Sequence, residues 1–297
     1  MGTSLDTAKR RLILILSSER SGSTLTRVIL GENRRIVAPQ ELFLMRYPTF
    51  QAWREQKSVA VESLVEFFQL LGQPHDVAWI DAQAKGLDIH ETYAWMMSFI
   101  RPDQYLLDKT PAYANDGDIL RRSVPLEPYF IWLIRHPLAV IESHLRLKFK
   151  ERHTQNLIGM GRRLRDGMVD QVARFASGLL PMSRQREVKW VVQNLTIREF
   201  LSTVPADRQC VIKFEQLVRN PADTVEQLCR FLHVAVEDEM LDACGARKVM
   251  NVNLGDPNFH KHDKIDPATA DIWREFFTED RLTMETRRLM DAIGVVR

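Results

Sequence analysis

Two uninterrupted apolar runs punctuate the chain, Leu12-Ile13-Leu14-Ile15-Leu16 and Tyr129-Phe130-Ile131-Trp132-Leu133-Ile134. Runs of this length without polar alternation predict strands buried on both faces, the condition of a parallel sheet. Each is followed by polar residues and then by apolar positions at helical spacing. After the first, Leu25, Val28 and Ile29 mark a helix over residues 23–30, with a cap expected among the serines; after the second, residues 138–147 repeat the pattern. A third strand is predicted at Cys210-Val211-Ile212-Lys213-Phe214. The helix beyond it is signalled by Asn220 as cap, Pro221 at the first position, and Val225, Leu228 and Leu232 on one face. A shorter fourth strand is predicted at Tyr105-Leu106-Leu107. Strands alternating with helices define an α/β fold, in which ligands bind beyond the carboxyl ends of the strands.

Two long stretches between these units, about 49–100 and 145–201, read as mostly helical, and no Gly/Ser-rich linker marks a boundary. The expectation is a single domain over 1–297: a central parallel sheet flanked by helices, a P-loop-like phosphate-binding loop, and helical insertions forming a lid. The net charge of +2 on 297 residues, with 45% hydrophobic and 27% charged, excludes disorder and fibre. It also argues against a nucleic-acid-binding domain, which carries a strong basic excess. No apolar run approaches the ~20 residues of a membrane-spanning helix, and the apolar run after Lys9-Arg10-Arg11 is too short for a signal peptide. Cys210, Cys229 and Cys244 form no CxxC pair, so buried, inert free thiols in a cytoplasmic setting are expected. Residues 146–165 hold seven Lys/Arg against one acid, Glu151. Two readings stand: a solvated helix face with a loop, or a basic flap over an anionic ligand or an acidic protein partner.

The segment Ser17-Ser18-Glu19-Arg20-Ser21-Gly22-Ser23-Thr24-Leu25 joins the first strand to its helix. Amides at a helix start, flanked by hydroxyls and a cation, make an anion cradle. It is not a Walker A loop, because no Lys precedes the hydroxyl residues that follow Gly22. That argues against a nucleotide kinase; a non-catalytic nucleotide-binding module is the other alternative class. A second anion motif is Arg135-His136-Pro137, with Ser143 two turns along the next helix. Two anion sites on adjacent strand ends suggest one ligand with two separated phosphates.

Together these motifs resemble the sulfotransferases that use 3′-phosphoadenosine 5′-phosphosulfate (PAPS). Arg20-Ser-Gly-Ser-Thr is similar to the family's 5′-phosphosulfate loop, and Arg135-His-Pro with Ser143 to its 3′-phosphate motif. Phe214-Glu215-Gln216-Leu217 through Asn220-Pro221 to Phe231-Leu232 resembles the later strand-helix unit, and Leu107-Asp108-Lys109-Thr110-Pro111 the active-site strand end. A narrower resemblance, through Val37-Ala-Pro-Gln-Glu41-Leu-Phe-Leu and Gly255-Asp-Pro-Asn-Phe259-His-Lys-His262-Asp263, is to the sulfotransferase domains of polyketide megasynthases of the curacin and olefin-synthase type. Those sulfonate the β-hydroxyl of an acyl chain on an acyl carrier protein, activating it for decarboxylative formation of a terminal alkene. A free small-molecule, lipid or glycan alcohol is the alternative acceptor.

The resemblance implies PAPS as donor, PAP as product and no metal. It places Arg20, Ser21, Gly22, Ser23, Thr24, Leu25, Arg135, Ser143 and Phe214 at the cofactor, with Arg20 and Lys109 on the transferring group and leaving phosphate. For the general base, His262 ranks first because imidazole titrates near the working pH. Glu41 ranks second, as proton acceptor or as a carboxylate orienting His262, and Asp108 third. The bland alternatives are a helix cap for Glu41, a surface loop for His262, a pair with Lys109 for Asp108 and a buried strand position for Phe214. Better-known cytosolic relatives have Lys-Thr-His where this chain has Lys109-Thr110-Pro111, so the base must come from elsewhere. Trp190 and Asn194, four apart on a helix, could line an acceptor channel, but Trp at helical spacing is more often core, and both are left out of the site.

Overall fold

The computed structural model describes residues 5–57, 60–154, 181–245 and 265–295. A five-stranded parallel sheet runs in the order β2-β3-β1-β4-β5, formed by β1 (Leu12–Ser17), β2 (Ile36–Val37), β3 (Tyr105–Lys109), β4 (Tyr129–Ile134) and β5 (Gln209–Lys213). The two long apolar runs are the central strands, β1 and β4, and every residue of both is buried.

The two-residue period of a strand divides these runs between two cores. Leu12, Leu14 and Leu16, with Phe130, Trp132 and Ile134, face one layer. Ile13 and Ile15, with Tyr129, Ile131 and Leu133, face the other. The first layer is closed by helices Phe50–Gln56, Val61–Leu70, Ile89–Met97 and Met182–Leu201, through Trp53, Phe67, Phe68, Tyr93, Trp190 and Phe200. The second is closed by helices Ser23–Gly31, Phe214–Arg219, Pro221–Leu232 and Asp238–Gly245. The helices of 49–100 are thus part of the main core. Local chemistry starts them: Thr49 accepts from the Ala52 amide, Asp76 from that of Trp79, and Asp88 forms a reciprocal capping box with Glu91.

Several boundaries differ from the sequence expectation. No serine caps the helix Ser23–Gly31; Gly22 holds the cap position at φ 91°. Asn220 precedes Pro221 as expected but makes no side-chain cap, and the Thr224 hydroxyl donates to its carbonyl instead. Strand β3 continues beyond the expected Leu107 through Asp108 and Lys109. Strand β5 stops at Lys213, and Phe214 opens a helix. The helix after β4 starts at Pro137 and runs to Thr154. Strand β2 was not expected. Cys229 and Cys244 are buried, whereas Cys210, on the edge strand, is only half-buried. Among the described residues, no helix is long and apolar enough to cross a membrane.

Candidate active site

At the carboxyl end of β1 the chain must turn sharply into the helix Ser23–Gly31. It does so through two residues in left-handed conformation, Arg20 at φ 66° and Gly22 at φ 91°. Gly22 also faces the ring of Phe214: a Cβ there would stand 2.3 Å from Phe214 Cδ2. Only glycine meets both demands. With no side-chain cap on this helix, the amides of Ser23, Thr24 and Leu25 lack acceptors within it. The Ser18 and Ser21 hydroxyls bond each other at 2.7 Å, and Ser17 Oγ, at the end of β1, is buried without a hydrogen-bond partner.

The second motif comes from β4. Arg135 donates from Nη1 to the Arg20 carbonyl at 2.9 Å and from Nη2 to the Thr269 carbonyl at 3.2 Å. Its guanidinium lies 4.1 Å from the centre of the Phe214 ring, while its buried Nε has no partner. Burial lowers its pKa to about 10, against the opposing pull of Glu215 and Glu142 and with a further push from the Arg20 charge. It therefore remains a cation at neutral pH. No carboxylate hydrogen-bonds to it among the described residues. Ser143 is also buried rather than exposed, and it accepts from Arg20 Nε at 3.1 Å.

The third component lies at the end of β3, in register with β1 through Ile15 and Lys109. Lys109 Nζ donates to Glu41 Oε1 at 2.6 Å and to Thr24 Oγ1 at 3.3 Å. Burial lowers the lysine pKa, Glu41 opposes this, and the neighbouring charge of Arg27 adds to the lowering. Glu41 therefore caps no helix; it is the ion-pair partner of Lys109. Asp108 does not pair with Lys109 and instead accepts from Tyr93, Tyr113 and Thr110.

Arg20, Ser21, Gly22, Ser23, Thr24, Leu25, Glu41, Lys109, Arg135, Ser143 and Phe214 thus gather along the ends of β1, β3 and β4, around the point where strand order reverses beside β1. Leu25 contributes its side chain to the core and only its amide to the loop. His262 and the stretch 255–263 lie outside the described residues, as does most of the basic segment 146–165.

Sequence reasoning missed the supports of this site. Lys189 Nζ donates to Glu19 Oε1 at 2.7 Å, and the next residue, Trp190, donates from Nε1 to the Arg135 carbonyl at 3.0 Å. Trp190 is the core residue expected, but it also steadies the second anion motif. Asn194 donates to the Trp190 carbonyl and accepts from Trp132. Arg27 is buried and donates to the Ala38 carbonyl at 2.6 Å, three residues before Glu41. These partners are distant in sequence, and no local spacing announces them.

A small-residue loop on a helix start, two arginines and a buried lysine bring cations and unpaired helix amides together at one end of the sheet. The model of the sulfotransferase family matches residues 13–238, and the chain belongs to that family. It is similar to the sulfotransferase domain from the curacin biosynthetic pathway, at 31% identity over 96% of this chain and 98% of that one, with a TM-score of 0.77. It is also similar to the sulfotransferase domain from the Synechococcus PCC 7002 olefin synthase, at 27% identity over 97% and 96%, with a TM-score of 0.70. A sulfotransferase from Mycobacterium avium shares the fold at 11% identity, covering 95% of this chain and 76% of that one, with a TM-score of 0.51. No curated protein sequence matches the chain. The protein is a sulfotransferase.

Proposed function

We propose that this sulfotransferase takes its sulfuryl group from PAPS and transfers it to the β-hydroxyl of an acyl chain on an acyl carrier protein. The resulting sulfate ester is the leaving group for a later decarboxylative elimination to a terminal alkene. The observation that carries the donor assignment is Arg135: a buried cation stacked on Phe214, with an unpartnered Nε, bonded to the carbonyl of the loop cation Arg20. A buried guanidinium of this kind suits a charged acceptor. The acceptor assignment is supported by similarity across nearly the whole chain to domains of the curacin pathway and of an olefin synthase.

PAPS supplies a sulfuryl group already activated by a phosphate leaving group. Arg20, the hydroxyls of Ser21, Ser23 and Thr24, and the first amides of the helix would hold its phosphosulfate end. Arg135 and Ser143 would hold the 3′-phosphate, with Phe214 beside the base. Arg20 and Lys109 place positive charge where negative charge accumulates during transfer, and fixed charges in a buried site are worth more than in water. An aliphatic hydroxyl is a poor nucleophile at neutral pH, so its proton must be taken up. Glu41, held by Lys109 at 2.6 Å, accepts it directly or orients His262 to do so. The three free cysteines among the described residues fit a reducing compartment, and we place the reaction in the cytoplasm.

Thermal unfolding with PAP, beside ATP-Mg²⁺, tests the donor. A ligand that binds only the folded state adds about 2.7 kcal/mol at 100 times its Kd. The expected result is a shift with PAP that Arg135→Ala abolishes. A shift with ATP-Mg²⁺ alone would overturn the assignment.

A further inference from the structure

Asp108 sits beside Lys109 at the end of β3, fully buried, and has no part in the chemistry assigned above. Its Oδ2 accepts from Tyr93 Oη at 2.5 Å and from Tyr113 Oη at 2.6 Å, and its Oδ1 accepts from Thr110 Oγ1 at 2.8 Å. Burial raises the Asp108 pKa, and the three hydroxyl bonds oppose that rise.

A carboxylate only accepts, and a hydroxyl has one proton to give. Thr110 and Tyr113 must therefore point their protons at Asp108, which leaves their lone pairs to accept from elsewhere. Thr110 Oγ1 accepts from the Phe43 amide at 3.3 Å, and Tyr113 Oη from the Met45 amide at 3.2 Å. Both amides belong to the turn that follows Glu41, in which Phe43 takes φ 57°, an unfavourable conformation for a bulky residue. The turn is fixed elsewhere by other side chains: Ser63 donates to the Glu41 carbonyl, Trp53 to that of Leu42 and Arg122 to that of Met45. Those bonds hold three carbonyls of the turn, while its Phe43 and Met45 amides rest on the two hydroxyls that Asp108 orients.

We propose that Asp108 is a positioning residue: by orienting the Thr110 and Tyr113 hydroxyls it holds the Phe43–Met45 turn, and through it sets the Glu41 carboxylate against Lys109. The inference rests on the role given above to Glu41.

Asp108→Asn tests it, because the change keeps the shape while replacing one acceptor oxygen with an NH₂ donor. With the NH₂ in the Oδ1 position the Thr110 hydroxyl must turn its proton away and the Phe43 amide bond is lost; in the Oδ2 position the Tyr93 and Tyr113 hydroxyls must turn and the Met45 amide bond is lost. Hydrogen exchange at the amide so released, Phe43 or Met45, should speed up by about 10-fold or more, with the amides of β1 unchanged. The kcat should fall about 10- to 100-fold, with the KM for PAPS and the affinity for PAP preserved. In a double-variant cycle, Asp108→Asn should add little to the loss caused by Glu41→Gln. Should Asp108→Asn fail to fold, Tyr113→Phe, which removes the acceptor of the Met45 amide, serves the same measurements. Unchanged exchange at both amides, or losses that multiply in the double variant, would overturn the proposal. Full activity of Glu41→Gln would contradict the role of Glu41 instead, and the exchange result alone would then decide whether Asp108 holds the turn.

Discussion

The Phe214 ring meets the Arg135 guanidinium at 4.1 Å and also closes the space over Gly22, where a Cβ would come within 2.3 Å of it. One aromatic ring therefore fixes the spacing between the two anion motifs. Gly22→Ala must move that ring and also hold alanine at φ 91°. The expected outcome is a loss of about 1–3 kcal/mol in urea unfolding, together with loss of the stabilisation by PAP. Retained PAP binding would contradict this role of the ring.

Arg135→Lys keeps the charge but loses the planar fork and the stacking on Phe214. Hydrogen bonds to charged groups contribute about 1.5–3 kcal/mol, so calorimetry should show a 10- to 100-fold weaker Kd for PAP. Ser143→Ala, which removes one neutral acceptor of Arg20, should cost less.

Lys189 and Trp190, adjacent on one helix, hold the β1 loop and the β4 motif respectively, through Glu19 and the Arg135 carbonyl. Lys189→Met should weaken PAP binding severalfold. Its effect on stability should stay within about 1 kcal/mol, because Glu19 is partly exposed. Trp190→Phe removes the indole that donates to the Arg135 carbonyl, so it should reduce stability by about 1–3 kcal/mol as well as affinity. Equilibrium unfolding beside PAP titration separates the two effects.

His136 stacks on Trp273 at 4.1 Å and accepts the Leu138 amide at Nδ1. Burial, aided by the charges of Arg274 and Arg135, lowers its pKa to about 3. Because the unfolded chain binds this proton near pH 6.5, the stabilisation is complete above that value. It declines as pH falls through 6.5 towards 3, by up to about 1.4 kcal/mol per pH unit. In His136→Asn, whose amide oxygen can replace the Nδ1 acceptor, Tm should fall less steeply over that window than in the parent. Equal slopes would contradict the assignment.

What the sequence revealed and what it hid follow from the range of the interactions. Strands β1 and β4 were legible because burial on both faces removes polar residues from five consecutive positions in the first and six in the second. The loop at Arg20–Gly22 was legible because a tight turn onto a helix demands small residues in order. Strand β2, with two residues, carries no period to read, and the extension of β3 was masked by Asp108 and Lys109, which are buried because the site needs them there. Glu41 and Lys109 were singled out by resemblance, but their pairing joins residues 68 apart. The Lys189–Glu19 contact spans 170 residues and leaves no pattern at either end.

The decisive measurement incubates the enzyme with PAPS and a carrier protein loaded with a β-hydroxyacyl chain, beside the same chain as a free acid and a panel of simple alcohols, and weighs the products by mass spectrometry. The carrier-bound chain should gain one sulfuryl group in a PAPS-dependent reaction that Lys109→Ala abolishes. Sulfonation of a free alcohol with none on the carrier-bound chain would contradict it.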